Sequence, residues 1–162
     1  MAATINSLGL APGGKGLAAY ASTYNGSLGK TWVQDGVTYR LIKTSAALAS
    51  CAKQAALDAG TTSLNYTIAT VTSAASHRVA GFFPVGQVDL ASGDFALVVI
   101  SGPTTAICGT ACTAGNGLVT GATGRVTDTS GTYAATAIPQ YIGKAMATAT
   151  TGNDVLINVS IP

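Results

Sequence analysis

The stretch RVAGFFPVGQVDLASGDFALVVIS, residues 78–101, decides the fold class. Its last part, residues 95–100, is rich in β-branched and aromatic side chains and is too short for a long helix, which is typical of a buried strand. The turn before it, Ala91-Ser-Gly-Asp94, contains a glycine that tolerates positive φ and an aspartate that can accept backbone hydrogen bonds. Shorter strands are predicted at residues 78–83 and 87–90.

The same order of strand, glycine-containing turn and apolar strand returns near the end of the chain. Residues 141–146 lead through Thr151-Gly-Asn-Asp154 into the apolar run 155–161. Residues 41–51 can also be aligned without a gap on residues 98–108. We therefore predict two similar β units, at about residues 37–101 and 102–162. The two units are expected to share one core, since each alone would leave a sheet face or edge open.

The composition suits a protein whose surface is largely covered by neighbouring molecules. Only 9% of the 162 residues are charged, against roughly 25% in ordinary domains, and glutamate is absent. A free monomer normally carries more charge to stay in solution. The net charge of +2 is too small to predict nucleic acid or an anionic membrane as a partner. Because neither a secretion signal nor a membrane-spanning run is visible, we expect synthesis in a cytoplasm.

Residues 1–29 are predicted to form an amino-terminal arm outside the β domain, which spans residues 30–162. The arm is biased towards glycine, alanine and serine and shows no apolar period. Such a segment is either flexible or becomes ordered on a neighbouring subunit. Removing residues 1–28 is therefore expected to leave the fold intact and to weaken binding to a partner. The apolar side chains predicted to bind the partner are Leu8, Leu10, Leu17, Tyr20 and Tyr24.

The first firm structure is predicted around Gln34-Asp35-Gly36. An Asp-Gly pair between two β-prone runs indicates a hairpin, with Trp32 anchoring it in the core. Residues 45–60 leave two interpretations open, because their alanine content favours a short helix whereas the surrounding chain favours strands and turns.

The rest of the chain alternates between turns and short strands. The dipeptide Gly102-Pro103 is expected to end the strand that begins at Phe95. Strands this short and closely spaced indicate a compact β-barrel or sandwich. The further predicted strands are residues 64–71, 118–120, 125–127 and 132–134.

Residues able to support catalysis or metal binding are few. The spacing of Cys108 and Cys112 would permit a zinc site together with Cys51 and His77. Such a site is not expected, because His77 is the only histidine and no second cysteine pair is present. No nucleophile motif or carboxylate pair stands out, so we expect no enzymatic activity, cofactor or metal. Free thiols are expected in a cytoplasm. A Cys108–Cys112 disulfide would require a turn that brings the Cα atoms within ~7 Å.

Six segments of the chain form a recognisable series in their order and spacing. They are Asp35-Gly-Val-Thr-Tyr-Arg-Leu-Ile-Lys43, Arg78-Val-Ala-Gly-Phe82, Ala91-Ser-Gly-Asp-Phe95, Gly117-Leu-Val-Thr-Gly121, Tyr141-Ile-Gly-Lys-Ala145 and Gly152-Asn-Asp-Val-Leu-Ile157. The series resembles phage capsid decoration proteins, also called cement proteins, and covers roughly residues 30–162. The resemblance implies a compact β-barrel or β-tulip core and a homotrimer that binds the major capsid protein on the capsid exterior and stabilises the shell.

The sequence thus supports one main functional hypothesis and leaves others open. The main hypothesis is a virion structural protein that decorates and stabilises a phage capsid, without nucleic acid or membrane as a partner. The alternative is the base of a head fibre, or a surface adhesin or other interaction module. A small enzyme comes third, because no residues for its chemistry are recognisable. The helix-prone residues 45–60 and the long arm depart from the decoration-protein pattern.

Overall fold

The structure, a computed structural model, describes residues 9–58, 65–71, 78–129 and 140–162. Its helical segments are short: the helix α1, Ala21–Tyr24, and the 3₁₀ turns Ala18–Tyr20, Asn25–Ser27 and Ala122–Gly124. The prediction of a mostly β fold is confirmed, and the one short helix lies at Ala21–Tyr24 rather than in residues 45–60. The strands are β1 Thr31–Gln34, β2 Val37–Thr44, β3 Ala55–Asp58, β4 Thr67–Val71, β5 Val79–Phe82, β6 Phe95–Ile107, β7 Gly117–Thr120, β8 Val126–Asp128, β9 Gly143–Ala145 and β10 Asp154–Ser160.

Strands β2, β4, β3, β5 and β6 close into a five-stranded barrel, which we call unit 1. The β2–β4 pair is parallel and the other neighbours are antiparallel. Closure gives every strand of the ring a partner on both edges, so no hydrogen-bonding edge is left open. The side chains buried inside include Ile42, Leu48, Cys51, Ile68, Phe83, Leu90 and Val98.

A second ring of pairings, which we call unit 2, starts from the second half of β6. β6 pairs with β10, β10 with β9, β9 with β7, and β7 with β8, all antiparallel. A parallel bridge between Cys108 and Val126 leads from β8 back to the end of β6. Unit 2 therefore repeats the pairing order of unit 1, and β6 is the last strand of one ring and the first of the other.

The repetition extends to individual backbone hydrogen bonds outside the strands. In unit 1 the N–H of Thr44 donates to the backbone carbonyl of Asp94 (2.8 Å), and in unit 2 the N–H of Cys108 donates to the backbone carbonyl of Asn153 (2.9 Å). Likewise, the N–H of Leu48 donates to the carbonyl of Leu90 (2.8 Å) in unit 1, and the N–H of Cys112 donates to the carbonyl of Ala149 (2.9 Å) in unit 2. A third pair of equivalent bonds runs from the N–H of Phe83 to the carbonyl of Gln54 (2.9 Å) and from the N–H of Ala145 to the carbonyl of Asn116 (3.0 Å).

These bonds correct the gapless alignment of residues 41–51 on residues 98–108. That alignment matched Cys51 with Cys108, whereas Thr44 holds the position of Cys108 in the structure. Cys51 instead corresponds to Thr113, because the two residues accept from Gln54 and Asn116 in the same kind of turn. The loops of the two units differ in length, so no alignment without gaps can match them. The division into an arm and a β domain stays a prediction.

The strand that begins at Phe95 does not end at Gly102-Pro103, contrary to the sequence-based expectation. β6 continues to Ile107 and pairs Pro103 with Asn158 of β10. The pairing of β2 with β6 stops at Ser101, so Pro103 lies where β6 has lost that partner. Proline is tolerated in a sheet where one edge of its strand needs no N–H donor.

The predicted hairpin is present and joins β1 to β2. Asp35 and Gly36 have φ values of 52° and 77°, as a two-residue type I′ turn requires at both central positions. Trp32 is only partly buried and packs against a cluster on the outer face of the barrel rather than inside it.

The short helix allowed for residues 45–60 does not form in the part of that segment that is described. Residues 45–54 make turns and a bridge at Leu48, and residues 55–58 belong to β3. Positive φ values at Ser50 and Lys53 are incompatible with a right-handed helix. The N–H of Ser45 donates to the carbonyl of Ile68 in β4 (2.8 Å). Pairing with a distant segment therefore overrides the helix propensity of alanine.

Two other strand predictions need comment. Of residues 87–90, only Leu90 makes a β-bridge, with Leu48. In the same segment the N–H of Val88 donates to the carbonyl of Gly13 in the amino-terminal segment (3.0 Å). The turn at residues 91–94, which leads into β6, bonds through its backbone to Thr44 of β2. The predicted strand at 132–134 lies outside the described residues.

The hairpin tip presses on β6 at Gly102, which gives a test of this packing. Gly102 has φ +104°, and a Cβ atom there would lie 2.6 Å from the carbonyl oxygen of Gly36. We expect Gly102→Ala to lower the free energy of unfolding by about 2 kcal/mol or more, through backbone strain and overlap. Denaturant unfolding measures the effect. Gly26→Ala is the control, since a Cβ there meets nothing within 4 Å; equal stability of both variants would contradict this packing.

Candidate functional site: interaction surfaces

The described part of the predicted arm, residues 9–29, lies against the chain's own unit 1. Gly16 and Phe95 exchange two backbone hydrogen bonds, both 2.8 Å long. The N–H of Val88 donates to the carbonyl of Gly13 at 3.0 Å. This segment therefore does not extend into solvent, because residues 87–95 supply partners for its backbone groups.

An outer apolar cluster fixes the same segment to the barrel. Leu10 is buried, and the ring of Tyr24 packs on that of Phe95 with centroids 4.9 Å apart. Removal of residues 1–28 would expose this cluster, and loss of such buried contacts destabilises a fold. The expectation that the truncated chain keeps its fold stays a prediction, and this packing is an argument against it. The cluster consists of Leu10, Leu41, Phe95 and Leu97, with Ala21, Tyr24, Leu28, Trp32 and Tyr39 packed against it.

The five predicted partner-binding residues therefore fall into different environments. Leu10 and Tyr24 face their own barrel, and Leu8 lies outside the described residues. Leu17 and Tyr20 remain on the surface, with 47% and 60% of their area exposed. Tyr20 and Tyr24 both lie in the helical turns at residues 18–27 but differ in exposure, whereas Leu10 and Leu17 precede these turns.

The surface apolar residues beside this segment form what we call the amino-terminal ridge, defined by Leu17, Tyr20, Val85 and Val88. Val85 and Val88 are 57% and 46% exposed. They lie in the loop whose Val88 N–H donates to the carbonyl of Gly13, four residues before Leu17. Sequence reasoning missed Val88 because residues 87–90 were read as a strand.

Asp94 holds the base of the ridge in place. One carboxylate oxygen accepts the N–H of Ala18 (3.2 Å), and the other accepts that of Ala91 (2.9 Å) and lies 3.3 Å from the Lys15 ammonium. The side chain is almost fully buried. Thr44 adds a hydroxyl bond of 2.6 Å to the carbonyl of Ala91, so the turn, β2 and the arm meet at this aspartate.

The environment of Asp94 favours its charged form. Burial alone would raise the pKa of this carboxyl. The N–H groups of Ala91 and Ala18 and the ammonium of Lys15 outweigh burial, and together they hold the pKa below its ordinary value. The carboxylate thus stabilises the folded state as long as it stays ionised.

Unit 2 carries a second exposed surface, which we call the unit 2 outer face. Leu156 of β10 and Met146 beside it are 44% and 54% exposed, and the N–H of Met146 donates to the carbonyl of Leu156 (2.8 Å). The side chains that share this face are Pro103, Thr105, Lys144, Met146, Asp154, Leu156 and Asn158.

A signal for this face was present in the sequence. Along β10 the odd-numbered residues from Val155 to Ile161 are buried and the even-numbered ones are exposed. Leu156 is therefore an apolar residue at one of the solvent-facing positions of the strand. Treating residues 155–161 as one apolar run hides this period of 2.

Two of the three cysteines are joined in the structure. Cys108 and Cys112 form a disulfide with their Cα atoms 6.3 Å apart, which corrects the expectation of free thiols. The turn between them brings the two residues together. Cys51 is free and buried inside unit 1, and burial raises the pKa of its thiol to about 11.

The described residues contain no group of three or more His, Cys, Asp or Glu side chains placed to hold a metal ion. His77 lies outside them. A surface groove of about 330 Å³ beside β8 is lined by threonine and glycine residues and Arg125. None of its lining side chains is a carboxylate, a histidine or a cysteine. Among the helical segments that are described, none has the length and apolar character needed to cross a membrane.

Comparison with known proteins found similarity among solved structures. No family model matches the chain, and no curated protein matches it. The solved structure of the head fiber gp8.5 N base of bacteriophage phi29 is similar at a TM-score of 0.49 and 17% identity, covering 76% of this chain and 94% of that chain. A head fibre base is the alternative that the sequence left open; a similarity of this degree carries no conclusion about function.

Acid should weaken the attachment of the amino-terminal segment. Because the pKa of Asp94 is lowered in the folded state, its contribution is present above the pKa of the unfolded chain, about 3.9, and is lost as the pH falls through the folded value. We expect the free energy of unfolding to drop below about pH 4, and Asp94→Asn to lower it by about 1 to 2 kcal/mol already at pH 7. Denaturant unfolding across pH measures both.

The comparison variant is Lys15→Met. Removing the ammonium should raise the pKa of Asp94 and move the acid loss to higher pH. An Asp94→Asn variant with the stability and pH profile of the parent chain would contradict the role given to this aspartate.

The thiol content gives a separate check. At pH 8 a thiol reagent should not modify the native chain, because Cys51 is buried and its thiol stays protonated. After unfolding without a reductant, one thiol per chain should react, and none in Cys51→Ser. Three reactive thiols in the unfolded chain would show that Cys108 and Cys112 are not joined.

Proposed function

We propose that this chain is a structural protein of a phage virion that attaches to the head through protein–protein contacts. In its finer form the proposal is a decoration protein on the capsid exterior, which binds the major capsid protein and stabilises the shell. The motifs resembling decoration proteins support this assignment, as does a surface that is nearly uncharged. Enzymatic activity, nucleic acid and membrane have no part in the proposed function.

The observation that carries the proposal is the amino-terminal ridge. Leu17 and Tyr20 are exposed apolar side chains on a segment that Asp94, Gly16 and Leu10 hold against the barrel. Exposed apolar residues on a fixed backbone lose little conformational entropy when a partner covers them. Aromatic anchors such as Tyr20 commonly dominate the energy of such contacts.

Stabilisation of a shell would follow from mass action. A protein that binds the intact lattice and not the dispersed subunits raises the free energy needed to take the lattice apart. Many copies on a repeating surface add their contributions, and an oligomer with several ridges gains further through multivalency. The homotrimer is what the resemblance implies, since a trimer fits a threefold site of an icosahedral shell.

A head fibre base is the second candidate, and it differs in what the bound protein does. A fibre base would attach to the head in the same way but would hold a further structure, and its loss would leave the strength of the shell unchanged. The decoration role instead predicts that heads without the protein release their contents at lower temperature. Heating heads with and without the purified chain separates the two roles.

The ridge itself is tested by substitution. We expect Leu17→Ser combined with Tyr20→Ser to weaken binding to heads that lack the protein by about tenfold or more, or about 1.4 kcal/mol. Co-sedimentation with such heads gives the affinity. Val33→Ser is the matched control, because Val33 is an apolar residue that is 71% exposed on β1 and is not part of the ridge. Full binding by the double variant would remove the ridge from the proposal.

A further inference from the structure

The internal repeat allows the outer faces of the two units to be compared position by position. The β2–β6 pairs Leu41–Leu97 and Lys43–Phe95 correspond to the β6–β10 pairs Thr105–Leu156 and Ile107–Asp154. In unit 1 this face is covered by residues 10–32, and Leu97 is fully buried. In unit 2 the equivalent Leu156 is 44% exposed.

The exposed face of unit 2 is arranged in three levels along the strands. The middle level is apolar and contains Leu156 with Met146 opposite it on the β9 side. Lys144 lies at one outer level, where it pairs with Asn158. Asp154 lies at the other outer level, two residues before Leu156 on the same strand.

The charges are therefore placed symmetrically about the apolar level. Along an antiparallel strand, two residues span roughly 7 Å. Lys144 thus stands about as far to one side of Leu156 as Asp154 stands to the other. Asp154 pairs with Lys53 (2.6 Å) in its own chain, but 54% of its side chain remains exposed and can accept a second cation.

We propose that the unit 2 outer face packs against the same face of a second copy of this chain, around a twofold axis that passes beside Leu156. The axis lies in the plane between the two packed faces and runs perpendicular to the strands. It brings Leu156 and Met146 onto their own equivalents and sets Lys144 of each copy opposite Asp154 of the other. An interface of this kind is isologous, so one surface supplies both sides.

The chemistry of the face favours a copy of itself over a partner of strong charge. It offers one cation and one partly neutralised anion, so neither a basic nor an acidic partner gains much from it. Two β faces pack about 10 Å apart with interdigitating side chains, and Leu156 and Met146 would then be removed from water. The ionic contacts at the rim fix the register of the two sheets.

The inference does not depend on the proposed function. A twofold contact doubles whatever assembly the chain forms otherwise, so the native particle has an even number of chains. A trimer held by other surfaces would become a hexamer. The measurement is the mass of the purified full-length chain over a range of concentrations, by light scattering coupled to size exclusion or by sedimentation.

The first variant is Leu156→Glu, which places like charges opposite each other at the axis. We expect it to halve the native mass while circular dichroism stays that of the parent, because Leu156 is already partly exposed. Val33→Glu is the matched control. It puts the same group on an exposed apolar position of β1 and should leave the mass unchanged.

The second set of variants tests the pairing across the axis. Lys144→Asp and Asp154→Lys each put like charges opposite each other and should raise the dissociation constant of the contact about tenfold or more, or about 1.4 kcal/mol. The double variant restores opposite charges and should recover most of the affinity. A structural role of either residue inside its own chain would not give this recovery.

Three outcomes would overturn the inference. They are a native particle with an odd number of chains at every concentration, an unchanged mass for Leu156→Glu, and a double variant no tighter than its weaker single parent. Binding to phage heads is measured separately at the amino-terminal ridge. Loss of the twofold contact with intact head binding, or the reverse, would therefore distinguish the two proposals.

Discussion

The structure depends on one strand that serves two rings. β6 is 13 residues long, pairs with β2 through residues 95–101 and pairs with β10 through residues 101–107. Neither ring can close without it. Disruption of β6 in one unit therefore removes an edge of the other, and we expect the two units to unfold together rather than as separate domains. Gly102 lies at the change of partner, where the hairpin tip comes too close for a side chain.

Local sequence patterns identified the features that depend on local geometry. The Asp35-Gly36 turn and the apolar run from Phe95 were predictable, because positive φ and β-branched side chains act within a few residues. The structure of the segment after Thr44 was not predictable from local sequence, because its backbone hydrogen-bond partners, Ile68 and Leu90, are distant in the chain. The same limit applies to Gly102-Pro103, where the sequence predicts the end of the strand although β6 continues. Whether a proline is tolerated depends on which edge of the strand has a partner, and that is a property of the whole sheet.

The candidate surfaces were predictable only in part. The amino-terminal segment was recognised as apolar and aperiodic, and Leu17 and Tyr20 are indeed exposed. Spacing alone did not separate them from Leu10 and Tyr24, because the segment changes between extended and helical turns and has no single period. The unit 2 outer face was missed although the alternation along β10 marked Leu156. Its neighbour Met146 follows β9 directly and has no pattern of its own.

Comparison of equivalent positions shows how the repeat has diverged. The cross-strand pair Phe82–Val99 of unit 1 is buried against unit 2, whereas its counterpart Lys144–Asn158 is exposed. A terminal repeat needs a polar outer surface where an internal one has a neighbour. Most of the unit 2 outer face follows this rule.

Leu156 and Met146 do not follow that rule, and their exception has a consequence for assembly. The amino-terminal ridge belongs to unit 1 and these two side chains belong to unit 2, so the two proposed contacts do not compete for the same surface. If both proposals hold, a pair joined through unit 2 would present two ridges to a repeating surface, and the second ridge would bind at a high effective concentration where the spacing fits. Weak individual contacts would then be sufficient for stable attachment.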